Sequence, residues 1–182
     1  MGIDLPLKVL IYEDENGDIQ IRDNSIGYLI DRHDANIFDL VWRKSRLDSE
    51  QYDETASGLV RVSSTQSIQE TVDALTAAIS ENPNFRIPLT VNFCEGKKRS
   101  CAQVIVFGNP NAGTPLMQVS QEAAIDLPQK FLVSSDFYGN VSITYNDPSF
   151  IAERHGIQGQ ETRLEAISSA LANFATQGAN GP

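Results

Sequence analysis

The sequence predicts an α+β fold: a complete β-α-β-β-β-β-α unit over residues 57–182, preceded over residues 1–54 by a β-hairpin and helix that copy the unit's second half. Two observations carry this. Aligned without a gap at an offset of 122 residues, Ile3–Asp34 and Ile125–Gly156 share 12 identities in 32 positions. Between the copies, apolar residues recur with period two in some stretches and with helical spacing in others, marking strands and helices in turn.

The elements follow in order. Each copy opens with an apolar strand ("KVLIY", "KFLVS"), turns at Asp14 to Gly17 or Asp136 to Gly139, and continues as an alternating strand ("DIQIR", "NVSITY"). Glycine supplies the positive φ of those turns. A short helix then starts, with Ile26, Ile30, His33 and Ile37 on one face of the first copy, which also carries Leu40 and Val41. Residues 55–58 read as a linker after the acidic "DSEQYDE", and "GLVRVSS" as a strand. A helix over about 67–80 begins at Ser67, with Glu70 placed for a capping box and Ile68, Val72, Leu75 and Ile79 as its stripe. Pro83 ends it. Phe85, Ile87, Leu89, Val91 and Phe93 alternate as a strand in which Pro88 marks an edge or a bulge, and "VIVF" at 104–107 reads as an interior strand. "GNPNAGTP" (108–115) reads as a tight turn. The closing helix presents Leu164, Ile167, Leu171 and Phe174 on one face.

Composition narrows the function classes. With 24 acidic and 14 basic residues the net charge is −10, which argues against a nucleic-acid backbone or an anionic membrane surface as partner. Residues 1–54 hold 13 acids and 6 bases, so most of the charge belongs to the first copy. No run of about 18 apolar residues suggests a membrane span. No signal segment follows Met1, so the expected location is cytoplasmic as written, or periplasmic or secreted if an upstream segment is missing. Cys94 and Cys101 flank a hairpin loop that sets them across from each other on the two strands, and they read as two reduced thiols, with a disulfide between them as the alternative. No cofactor and no metal site are expected from two histidines and two cysteines.

Three stretches, "FGNPNAGTPLM" (107–117), "DLPQKFLV" (126–133) and "YNDPSFIAERHG" (145–156), resemble domain-of-unknown-function family 302 in order and spacing. The resemblance covers roughly residues 58–176, and the second half of the pattern recurs at 3–47. It implies a two-layer, TATA-binding-protein-like arrangement, a mostly antiparallel sheet packed by helices on one face, and frequent homodimers. It implies no activity. Two departures stand out: Phe93 and Cys94 lie where family members carry a histidine, and Ser25–Ile26 replaces Asp147–Pro148 in the first copy.

The polar residues of these stretches are the candidate ligand-binding set: Asn109, Gly113, Thr114, Tyr145, Asn146, Asp147, Arg154 and His155. Gly108-x4-Gly113-Thr114 is not a phosphate-binding loop, because no lysine stands between the second glycine and the hydroxyl residue. Asp147 has a local role as a helix cap before Pro148. His33 and His155 are the only histidines, hold equivalent positions, and each follow an arginine. Histidine is the side chain suited to proton transfer near neutral pH. The expected function is binding or sensing of a small polar or anionic ligand in a pocket formed by the "GNPNAGTP", "YNDP" and "RHG" segments. The alternatives are an enzyme using His155 as general acid/base with Arg154 holding an anionic substrate, and a structural assembly module. Catalysis itself is left open, and apolar positions in the first copy point to self-association as a homodimer.

Overall fold

The structure, a computed structural model, describes residues 2–33, 57–94 and 101–181. A 3-10 turn at Gly2–Asp4 leads into the hairpin of β1 (Val9–Glu13) and β2 (Ile19–Asp23), then α1 (Ile26–Arg32). Asp14 accepts from the backbone N–H groups of Asn16 and Asp18, and Gly17 turns at φ 84°. Ser25 caps α1 by accepting from Tyr28 N–H. Ile37, Leu40, Val41, residues 55–56 of the expected linker and the centre of the "CEGKKRSC" loop lie outside the described residues.

The second part of the chain forms a five-stranded antiparallel sheet of β3 (Leu59–Ser64), β4 (Arg86–Asn92), β5 (Ala102–Gly108), β6 (Gln129–Ser135) and β7 (Val141–Asn146), in the order β3-β7-β6-β5-β4. Pro88 sits on the edge strand β4, where a missing N–H costs no ladder bond, and the register shifts between Arg86 and Leu89. Apolar β5 lies inside the sheet, and Val104, Ile105 and Phe107 are fully buried.

Two helices cover one face: α2 (Ile68–Glu81) and α5 (Glu161–Asn180). The Ser67–Glu70 capping box starts α2. Val72, Leu75 and Ile79 from α2 and Leu171 and Phe174 from α5 meet Ile105, Phe107, Phe131, Val133 and Ile143 of the sheet. Phe107 stacks on Phe131 at 4.6 Å between ring centres. The helices approach closely because a side chain at Gly178 would collide with Leu75. On the opposite face Ile3, from the first turn of the chain, packs with Leu59, Val104 and Leu132. Ile3 is 1% exposed, so the opening residues are part of the core.

Two expectations are corrected. Residues 108–115 are not a turn: Asn109 caps a helix, α3 (Pro110–Val119), and Pro110 occupies its first turn, where no N–H is required. Pro115 inside α3 cannot donate to the Asn111 carbonyl, and Arg163 Nη1 of α5 donates to that carbonyl instead, at 3.1 Å. The helix α4 (Pro148–Arg154) follows β7, capped by Asp147 as expected. The second correction concerns the cysteines. The β4–β5 pairing brings Cys94 and Cys101 to a Cα separation of 4.7 Å, and they form a disulfide. Closing a loop this short is expected to contribute about 2.5 kcal/mol. Chemical denaturation with and without reductant checks this: the reduced chain should stay folded with its midpoint lowered accordingly.

Candidate functional site

The candidate residues separate into two places. Asn109, Gly113 and Thr114 line a cavity of about 1050 Å³ between the β4–β5–β6 end of the sheet, α3 and α5. Its walls are mainly apolar, with Phe85, Phe107, Met117, Leu127, Ile167 and Leu171 among them. Arg86, Gln160, Glu161 and Arg163 supply polar groups. Gln129, at the start of β6, also lines it; the residue is 8% exposed and its carboxamide oxygen is buried with no hydrogen-bond partner. A buried acceptor without a donor costs about 1–3 kcal/mol, so native proteins rarely leave one.

Arg154 and His155 gather elsewhere, around Asp126, Asn146 accepts from Arg32 in the same network, and none of the three lines the cavity. Tyr145 is a core residue with its ring edge-on to Phe131. Asp147 serves as the cap of α4. The "YNDP" and "RHG" segments therefore do not share the concavity that "GNPNAGTP" helps to form.

The second place is a network with a counterpart 122 residues earlier at each position. Asp126 follows the 3-10 turn Gln121–Ile125 and precedes the cis Leu127–Pro128 bond; Asp4 ends the turn Gly2–Asp4 and precedes the cis Leu5–Pro6 bond. Arg154 and His155 end α4, and Arg32 and His33 end α1, where cations complement the helix dipole. His155 Nε2 donates to Asp126 Oδ2 at 2.7 Å, and His33 Nε2 to Asp4 Oδ2 at 2.6 Å. Arg154 Nη1 donates to Asp126 Oδ2 at 2.8 Å, and Arg32 Nη1 to Asp4 Oδ1 at 2.9 Å.

The arginines then cross over. Arg154 Nη2 donates to Asn24 Oδ1 at 2.6 Å, and Arg32 Nη2 to Asn146 Oδ1 at 2.7 Å. The guanidinium of Arg154 lies 4.0 Å from the Tyr28 ring centre, and that of Arg32 5.1 Å from the ring of Phe150, which stands 122 residues after Tyr28. Each half of the network thus draws its carboxylate from one copy and its asparagine and aromatic ring from the other.

The cluster is dry. The side chains of Asp4 and Asp126 are both 3% exposed. Burial on its own would raise both carboxyls, but the histidine hydrogen bonds and the arginine charges hold them below the ordinary aspartate value. Lys8 and Lys130, another pair 122 apart, stand close enough to repel one another. Burial, with the Lys130 charge beside it, lowers the Lys8 ammonium to about 8, and its Nζ donates to the Leu127 carbonyl at 3.2 Å. Asp4, Asp126, Lys8, Lys130 and Gln129 are absent from the candidate set read from the sequence. For the first four a signal existed, since Asp and Lys are identical in both copies of "IDLPxK".

The profile of the family described as Domain of unknown function DUF302 matches residues 60–174, more than half of the chain. The chain belongs to the DUF302 family. The crystal structure of the uncharacterized conserved protein DUF302 from Bacillus stearothermophilus aligns with a TM-score of 0.58 at 14% identity, covering 66% of this chain and 97% of that one. That likeness supports the two-layer fold. Two curated relatives, each named Fluoride-specific ion channel FluC 1, come from Brucella suis biovar 1 (strain 1330) and Brucella abortus biovar 1 (strain 9-941). Each is 36% identical over 106 residues, 56% of this chain. The match covers 41% and 39% of those proteins, so this DUF302 chain spans about two fifths of their length. Among the described residues no helix is long and apolar enough to cross a membrane.

The network predicts a specific sensitivity to acid. Asp126→Asn leaves Arg154 and His155 facing no carboxylate and is expected to destabilise the fold by about 3 kcal/mol. Because the native carboxyls lie below the ordinary value of 3.8, their contribution is present above it and is lost as pH falls through the lowered native values. Denaturation midpoints followed through that range should fall less steeply for Asp126→Asn than for the wild type.

Proposed function

We propose that this DUF302 chain binds a small, largely apolar molecule in the cavity beneath α3 and α5. The observation that carries the reading is the cavity itself, walled by Phe85, Phe107, Met117, Leu127, Ile167 and Leu171. A cavity of about 1050 Å³ suits a drug-sized or slightly larger ligand, and apolar walls with a few placed polar groups are what such sites have. Arg86 and Arg163, against the single carboxylate Glu161, favour a ligand with an anionic end.

Binding accounts for the side chains better than catalysis through His155 does. Arg154, which was to hold an anionic substrate, is engaged by Asp126, Tyr28 and Asn24, and the His155 side chain is 6% exposed and hydrogen-bonded to Asp126. Both residues belong on this reading to the joint between the two copies, where the described residues 2–33 dock on the complete unit. For the relatives named as fluoride-specific ion channels, it makes the matched 106 residues a binding attachment beside the channel.

The dye 8-anilinonaphthalene-1-sulfonate combines an apolar body, an N–H donor and an anion, and tests the proposal by fluorescence titration. One saturable site per chain is expected. Ala166→Trp, on the exposed side of α5 at the cavity wall, should weaken binding about tenfold. Gln129→Leu should raise the stability of the empty protein by about 1–2 kcal/mol, since the unpaired acceptor is gone. A titration unchanged by Ala166→Trp would place the dye elsewhere and defeat the reading.

A further inference from the structure

Among the described residues, the hairpin has one docked face and one bare face. On the docked side Tyr12 and Arg22 both donate to Glu122, at 2.9 and 2.8 Å. On the other side Val9, Ile11, Ile19 and Ile21 are 63–65% exposed, with Leu7 and Ile26 equally bare beside them. The residues 122 positions later are Phe131, Val133, Val141 and Ile143, which pack against α2 and α5 in the main core. The same strand pattern is therefore covered by helices in one place and, among the described residues, uncovered in the other. A contiguous apolar patch of this kind marks an interaction surface.

The ends of the patch say what would cover it. Glu13 pairs with Ile19 and Asp23 with Val9, so a carboxylate closes each end of the apolar block on the same face. Their counterparts under the helices are Ser135 and Tyr145, neither of them acidic. A second copy is a poor occupant, since Glu13, Asp14, Glu15, Asp18 and Asp23 would be set against the same carboxylates. We propose that the bare face of the β1–β2 hairpin docks an amphipathic helix of another polypeptide that carries a lysine or arginine at each end of its apolar stripe. Four residue steps along β2 separate the two carboxylates, about 14 Å at strand rise. At helical rise that distance sets the two basic residues roughly nine positions apart.

The test uses the full chain and labelled synthetic peptides about four turns long. They share one apolar stripe and carry Lys, Gln or Glu at the two flanking positions, and binding is followed by fluorescence anisotropy. The lysine peptide should bind most tightly and the glutamate peptide least, about tenfold apart, as two exposed ion pairs allow. In the Glu13→Gln/Asp23→Gln double variant that gap should close. The Ile11→Ser/Ile21→Ser double variant changes only exposed side chains and should lose binding to all three peptides while keeping its circular dichroism spectrum. Absence of binding to wild-type protein would overturn the proposal, as would equal affinity for all three peptides. So would a wild-type dimer in sedimentation that Ile11→Ser/Ile21→Ser converts to a monomer, because the face would then belong to a second copy.

Discussion

Two buried carboxylates tie the described parts of the chain together. Asp4 and Asp126 each accept from the histidine and arginine that end a helix of the same copy, and each arginine reaches on to an asparagine of the other copy. Neither half of this arrangement is complete without the other. A two-stranded hairpin with a short helix is marginal in water, and here its position is set by a crossed set of charge-assisted hydrogen bonds. The apolar contact of Ile3 with Leu59, Val104 and Leu132 extends the same attachment onto the far face of the sheet.

Removing charges from water is costly, and the network shows how the cost is met. Each carboxylate accepts from an arginine and a histidine, the arginines stack on Tyr28 and Phe150, and Lys8 responds to its dry, cationic surroundings with a lowered pKa. Groups engaged this fully have little capacity left for a substrate. The cavity beneath α3 and α5 is the opposite environment, with apolar walls and one unpaired carboxamide. The buried charges and the apolar cavity thus occupy different places in one molecule. Gln129 and Lys130 are adjacent in sequence yet serve one place each, because alternation along β6 sends successive side chains to opposite faces of the sheet.

Much of the fold was legible in the sequence because it rests on local rules. Helix α2 begins at its capping box and ends before Pro83, Pro88 lies on an edge strand with a register shift, and Asp147 caps α4. Where local signals competed, reading failed. Two prolines and two glycines in "GNPNAGTP" suggest a turn, yet residues 110–119 are helical because Asn109 caps them and Arg163, far away in sequence, takes over the carbonyl that Pro115 cannot serve. The disulfide was half legible: the hairpin reading sets Cys94 and Cys101 across from each other, and strand pairing brings their Cα atoms to 4.7 Å, where a bridge forms.

The candidate site divides along the same line. The sequence by itself determined that two equivalent segments exist, that each ends in Arg-His, and that a cap and a turn stand where they do, because identity and periodicity are properties of the chain as written. It also held the shared Asp and Lys of "IDLPxK", whose meaning depends on partners at separations such as the 28 residues between Asp126 and Arg154 and the 130 between Asn24 and Arg154. Only the tertiary structure decided that Arg154 and His155 close a joint while Asn109, Gly113 and Thr114 line a cavity, and that Gln129 is left without a donor. Burial and pairing depend on which distant surfaces meet, and no local pattern encodes that meeting.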